Sequence, residues 1–440
     1  MLIHPIWFVR CGFALLLFAP AWAVDVPRTV DQWFLAEIRT QPDAQAQPMA
    51  TMHLVSSPID GGGRSTTMEM ALVIKRKFGE KTFRIESRER QELSEDGNGR
   101  VTKFRIEKDE NGVISAAVGQ LDGTKLTAEV VRLGRIEKQE LLLAEGTEVL
   151  GPVIQQERLA ETFAKSRTAS PKPVVFTSIE IVGHRVTLVR TTATYLTTDG
   201  DGNLVFSMIS DIVPIPMTSI VTPRGELVRM ALDLGPFKVE LKRSPGPVAL
   251  LGGEIDQSSM VGSTGTPPRG GAVERYQLPP GTKVVADEFQ SVEGDVVTVR
   301  SDAVPSPLVD PKPFLAKEAQ LETDDPVVRS WVEGIVAGRT DGADIAESLR
   351  LAVRSHITVR DLTVADGSAL ETFRNKKGDC TEHANLLCAA LRIAGIPARV
   401  DVGVVHVFVV DKPAWCGHAW VSAWIDGHLI TLEAAYPGIE

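Results

Sequence analysis

The residues best suited to covalent chemistry lie near the C-terminal end of the chain. Cys380 follows Gly378-Asp379 where a loop gives way to an apolar, helix-forming run, and Thr381-Glu382-His383-Ala384 continues it. A helix start offers backbone N–H groups without intrahelical acceptors and the positive end of the peptide dipole. A thiol placed there is favoured as thiolate, its nucleophilic form. The same amides can stabilise the oxyanion formed when a thiolate adds to a carbonyl carbon. Further on, Gly417-His418-Ala419-Trp420 opens a strand pattern, Asp426-Gly427 is a turn, and the returning run ends at Leu432-Glu433. If the turn is a two-residue one, Ile425 faces His428, Trp420 faces Glu433 and His418 faces Ala435. His418 and Glu433 are then diagonal neighbours on one face of a hairpin, within reach of a long side chain. A carboxylate there fixes the imidazole tautomer and stabilises the imidazolium. Cys380, His418 and Glu433 are therefore the candidate nucleophile, base and orienting acid of an acyl-transfer site.

The competing uses of these residues are weaker. Cys380-x-x-His383 and Cys416-x-His418 together supply potential zinc ligands. The Cys-x-His spacing is shorter than zinc pairs use, so no metal is expected, and no cofactor is assigned. Cys388 lies two helical turns beyond Cys380 on the same apolar stripe and reads as a small core residue. Asp199, Asp201 and Asn203 invite a calcium reading, but Leu204 stands where an EF-hand needs Gly and no helices flank the loop. That loop reads as a hairpin.

Around the cysteine the pattern is helical. Asp325-Pro326 is a cap and first turn for a helix to about Ala337, and Ala343 to Ser355 carries apolar residues at i, i+4 and i+8. Ser368 to Arg374 makes a short helix, and another runs from Cys380 to Ala394, where Gly395 and Pro397 stop it. Ala398 to Val410, His418 to Ile425 and His428 to Glu433 are expected strands. Helices leading into an antiparallel sheet make residues 311–440 an α+β domain.

Residues 24–243 read differently. Runs rich in Val, Ile, Thr and Phe alternate apolar with polar residues, as half-buried antiparallel strands do. Between them stand Asp96-Gly97-Asn98-Gly99, Asn111-Gly112, Asp122-Gly123 and Asp199-Gly200-Asp201-Gly202, all hairpin signals. The loops around Asp96 and Asp199 are alike in sequence and hint at two related halves. A large antiparallel β domain, half-barrel or sandwich, is expected. Residues 244–275, rich in Gly and Pro, read as a linker, and 276–310 as a small β extension.

The first 23 residues have the form of an export signal: Arg10, a short apolar run, then Ala21-Trp22-Ala23 as a cleavage site. The mature chain is expected to begin at Val24 and to work in the periplasm or outside the cell. The apolar run is shorter than the ~20 residues of a membrane span. A net charge of −10 with no basic stripe argues against a nucleic-acid partner. With Cys11 removed in the export signal, the remaining Cys380, Cys388 and Cys416 are too few for a disulfide scaffold and odd in number, so at least one thiol stays reduced or pairs with another molecule.

Three blocks carry a family resemblance: Gly378-Asp379-Cys380-Thr381-Glu382-His383-Ala384, Leu391 to Val400, and Gly417-His418-Ala419-Trp420-Val421. In this order they resemble the transglutaminase-like superfamily, whose fold is papain-like and whose members include transglutaminases, peptide N-glycanase-type amidases and bacterial cysteine peptidases. The resemblance covers about Pro311 to the end and implies Cys380 as nucleophile and His418 as general base. The family's usual aspartate is replaced here by Glu433, and related domains usually continue with further sheet beyond the point where this sequence stops. The expected function is acyl transfer on peptide or protein amides, as peptidase, amidase or transamidase. The alternative is an inactive peptide-binding module that keeps the fold.

Overall fold

Tight turns with glycine at positive φ join most strands of the N-terminal region to their sequence neighbours. The computed structural model describes residues 29–40, 44–78, 81–132, 134–165, 172–182, 185–211, 216–223, 225–234, 237–250, 252–256, 273–277, 284, 286–287, 289–300, 303, 308–360, 367–409 and 412–436. The expected export signal lies outside them. The chain divides into two compact units that meet in sequence between Gln257 and Ser258.

The first unit is one large sheet. Its strands are β1 (Val30–Arg39), β2 (Gln47–Pro58), β3 (Arg64–Phe78), β4 (Lys81–Glu95), β5 (Val101–Glu110), β6 (Val113–Asp122), β7 (Lys125–Arg132) and β8 (Arg135–Leu142), then β9 (Val174–Val182), β10 (Arg185–Thr198), β11 (Leu204–Ser210), β12 (Met217–Val221), β13 (Leu227–Leu234) and β14 (Phe237–Ser244). Two runs of hairpins, β1 to β8 and β9 to β14, join where β1 pairs antiparallel with β14, from Trp33↔Ser244 to Arg39↔Lys238. The sheet rolls on itself. Ile179, Ile181 and Val186 from β9 and β10 share a core with Phe104, Ile106 and Leu126 from β5 and β7. Near this closure the Val186 amide donates to Gln139 Oε1 at 2.8 Å.

The Asp96 and Asp199 loops are alike in structure as well as sequence. In each, the aspartate amide bonds the carbonyl four residues on, and its carboxylate accepts from the amides two and four residues on. The Asp199 carboxylate is thus engaged within its own hairpin.

Two elements are unexpected, a helix within the β region and a strand within the linker. Pro152–Lys165 is a helix, α1, with Pro152 at its first position, where the missing N–H does no harm. It packs against two loops: a Cβ at Gly99 would come within 2.3 Å of Ile154, and one at Gly225 within 2.9 Å of the Gln156 carbonyl. Gly99 also sits at φ 77°, which favours glycine. In the stretch expected to be linker, β15 (Gly253–Asp256) pairs in parallel with Ile74–Lys77 of β3, so this part has strand structure. Residues 257–272 of that stretch lie outside the described residues.

The second unit begins with a small sheet of β16 (Val273–Gln277), β17 (Gln290–Glu293) and β18 (Val296–Arg300), in the order β16-β18-β17. Helices α2 (Pro326–Val336), α3 (Gly342–His356), α4 (Ala369–Asn375) and α5 (Cys380–Ile393) follow, then the antiparallel sheet β19 (Ala398–Val409), β20 (Lys412–Ile425) and β21 (His428–Leu432). The cap of α2 is the one the sequence predicts, Asp325 accepting from Val327 and Val328, and Ser368 caps α4 in a capping box with Glu371. Helix α5 is buried along nearly its whole length, and Leu386, Leu387, Cys388 and Leu391 join Val421, Ala423 and Leu432 in one core. A large antiparallel sheet is thus followed by an α+β domain. Among the described residues no helix is long and apolar enough to cross a membrane.

Candidate active site

Cys380 is the first residue of α5 and is 6 % exposed. Asp379 is the N-cap. Its carboxylate accepts from Thr381 at 2.9 Å and from the amide of Glu382, and its carbonyl accepts from the amide of His383. Glu382 closes the capping box by accepting from the Asp379 amide at 2.8 Å, and its other oxygen accepts from Gly367 at 2.8 Å. Burial, with the Asp379 charge beside it, raises the Glu382 pKa well above the ordinary carboxylate value. The loop before the thiol is sterically exacting: a Cβ on Gly378 would lie 2.2 Å from that of Glu382. The segment is also tied to the chain after α3, where Val359 bridges Lys377 and Gly378 donates to the Val359 carbonyl. His383 is buried and donates Nδ1–H to the Asp379 carbonyl at 2.6 Å, and burial lowers its pKa. His383 therefore helps hold the cap. The amides of Thr381, Glu382 and His383, expected as oxyanion donors, are already engaged by Asp379.

On the sheet the hairpin register is the expected one, with Ile425↔His428 and Val421↔Leu432. The ladder ends at Leu432, and Glu433 follows it in an irregular segment. His418 Nε2 donates to Glu433 Oε2, and both residues are 3 % exposed. Nδ1 is thereby left as the basic nitrogen of the neutral ring. Glu433 Oε1 turns back to accept from the amides of Ala435 and Tyr436, the latter at 2.9 Å. Burial pushes the Glu433 carboxyl up, but His418 and the two amides outweigh it and hold the pKa below the usual value.

The structure joins His418 directly to Glu433 and sets Cys380 in the same buried cluster as Ala419, Ala434 and Ala435. Tyr436 links the two sides. Its ring lies 5.6 Å from that of His418, and its phenol is pushed up to about 12, first by burial and next by the charge of Cys380. Cys388 is fully buried, and burial raises its thiol to about 12, consistent with a core role. The side chain of Cys416 lies outside the described residues.

Residues without an earlier signal surround Glu433. Arg350 donates to the Glu433 carbonyl at 3.0 Å, Arg354 to the carbonyls of Glu433 at 3.1 Å and Ala434 at 3.2 Å, and Arg360 to that of Ala435. The guanidinium of Arg360 also lies 4.9 Å from the Tyr436 ring centre. The two helical arginines fall on one face of α3 by their i, i+4 spacing. Nothing local to them indicates that the chain end lies opposite.

Helices leading into an antiparallel sheet, with a cysteine opening the buried helix, are the arrangement of a papain-like domain. Residues 329–434 match the model of the transglutaminase-like superfamily. The matched segment includes Cys380, His418 and Glu433. Among solved structures, the chain is similar to a β-barrel-like protein of a domain of unknown function from Brucella abortus, at 14 % identity and a TM-score of 0.36, over 50 % of this chain and 98 % of that one. It is also similar to a provisionally assigned cysteine protease from Cytophaga hutchinsonii, at 14 % identity and a TM-score of 0.29, over 61 % of this chain and 67 % of that one. No curated protein matches the chain.

Proposed function

We propose that residues 311–440 form a cysteine-dependent acyl-transfer domain acting on peptide or protein amides, in a chain exported by residues 1–23. The observation that carries this reading is the buried His418–Glu433 contact beside a cysteine that opens a helix. His418 Nδ1 takes the proton of the Cys380 thiol, and the thiolate adds to the amide carbonyl carbon. The imidazolium then returns its proton to the amine as the C–N bond breaks, leaving a thioester. Water activated by His418 releases a carboxylic acid, and a primary amine in its place yields a new amide. Glu433 keeps the ring oriented and stabilises the imidazolium. In the same reading residues 24–243 form a β domain, 244–275 a connector and 276–310 a small β extension.

Alkylation by iodoacetamide tests the nucleophile without knowledge of the substrate. In the intact chain at pH 6.5, Cys380 labels faster than Cys388 or Cys416, and His418→Ala slows it. Casein cleavage and incorporation of a fluorescent primary amine into casein then distinguish hydrolysis from transamidation, with Cys380→Ser abolishing either. Equal labelling of all three thiols, or turnover that survives Cys380→Ser, would sink the reading. N-terminal sequencing of envelope-fraction protein tests export, and an intact Met1 contradicts it.

A further inference from the structure

We infer that Arg350, Arg354 and Arg360 are positioning residues: by holding the carbonyls of Glu433, Ala434 and Ala435 they set the reach at which Glu433 locks His418. The inference deepens the acyl-transfer reading and rests on it for its catalytic meaning.

Sheet pairing does not hold the segment that carries Glu433. The β20–β21 ladder ends at the Val421↔Leu432 pair, and the next residues run as an irregular turn. Its amides at Ala435 and Tyr436 are satisfied by the Glu433 carboxylate, while its carbonyls at 433, 434 and 435 are satisfied by guanidinium groups. Residues 433–435 are buried, so water does not replace a lost donor: removing Arg354 costs the Ala434 carbonyl its guanidinium and removing Arg360 that of Ala435, while the Glu433 carbonyl is shared by Arg350 and Arg354.

Glutamate has one more rotatable bond than aspartate, and an orienting carboxylate works only if that freedom is removed. Here Oε1 is held by the backbone ahead of it and Oε2 by the imidazole, so the position of that backbone decides where Oε2 lies. Arg354 fits this task because its planar fork reaches two successive carbonyls, at 3.1 and 3.2 Å, which a lysine ammonium cannot match with fixed geometry. Arg350 is itself oriented by Glu347, through contacts of 2.6 and 2.7 Å. Arg360 adds a second restraint, stacking on the Tyr436 ring that flanks His418.

The test uses the full chain, labelled with ¹⁵N in its histidine rings, with His418→Gln to assign the signal. Ring ¹⁵N shifts report the His418 tautomer and its titration, and iodoacetamide reports Cys380 reactivity. In the wild type the Nε2–H form predominates. Arg354→Met gives a mixture of tautomers and moves the His418 titration, and labelling of Cys380 at pH 6.5 slows about tenfold. Arg354→Lys restores part of the effect, and Arg360→Lys shows a smaller one. These two milder variants keep the test decisive if Arg354→Met does not fold. Variants with lower melting points but an unchanged tautomer and titration would overturn the inference, leaving the arginines as structural ties. If the tautomer responds while wild-type Cys380 labels no faster than the other thiols, the clamp stands and the acyl-transfer reading falls.

Discussion

Glu95 at the end of β4 and Glu433 after β21 are the same side chain, each 3 % exposed, and their acidities move in opposite directions. Glu95 has one neutral donor: the Thr66 hydroxyl reaches Oε1 at 2.6 Å, and Oε2 has no hydrogen-bond partner among the described residues. Burial, Glu157 and Asp96 all favour its protonated form, Arg64 opposes them, and the pKa rises to about 7. Glu433 meets the same desolvation, but an imidazole and two backbone amides converge on its oxygens. Burial alone therefore does not set the charge of an interior carboxyl. The number of donors aimed at the ionised form decides it.

The largest effect should come from removing the charge at the better-served site. Glu433→Gln keeps the volume but no longer stabilises the imidazolium, and turnover should fall by up to ~10⁴. Wild-type rates would show that His418 needs no carboxylate. Glu95→Gln, the matched change in the β domain, should leave turnover untouched.

Stability should show the reverse pattern. Glu95 binds its proton more tightly folded than unfolded, so between its ordinary value of 4.5 and about 7 the native state holds the extra proton. Stability contributed by this group is therefore lost as pH rises through that window, by at most about 3 kcal/mol. Urea melts of the β domain from pH 5 to 8 should show the loss in wild type and its absence in Glu95→Gln. Glu433 has the opposite sign: its depressed pKa contributes stability above the unfolded value, lost as pH falls through the folded one.

Gly378→Ala probes the cap that holds the buried acid Glu382. The added Cβ meets Glu382 at 2.2 Å, and overpacking of this kind costs about 1–3 kcal/mol. Slower labelling of Cys380 should accompany the lower melting point, since Asp379 and Cys380 follow directly. The smallest functional effect belongs to Cys388→Ser, which buries a hydroxyl at a cost of about 1–3 kcal/mol if it finds no partner. Alkylation of Cys380 should be unaffected. A loss there without unfolding would place Cys388 in the site.

What could be read directly was local. Asp325 and Asp379 announce helix starts because capping uses side chains within three residues of the amides they satisfy. The Asp426-Gly427 turn sets the register from Ile425↔His428 to Val421↔Leu432, one residue short of Glu433. Helix α1 escaped because its polar Gln155-Gln156-Glu157-Arg158 stretch sits among strand-like segments, although Pro152 marks its first turn. β15 escaped because its strand character depends on β3, more than 170 residues earlier.

By itself the sequence determined the helices of the C-terminal domain, the register of its last hairpin and the cysteine at a helix start. Tertiary structure alone decided the rest. It joined β1 to β14 so that the sheet could roll, brought Arg350, Arg354 and Arg360 to the carbonyls beyond Glu433, and lowered one buried glutamate while raising another. Capping and turn chemistry act over a few residues, and so are written in short stretches of sequence. Strand pairing across the domain, burial and the donors that reach a carboxylate depend on residues far apart along the chain, which only the folded packing brings together.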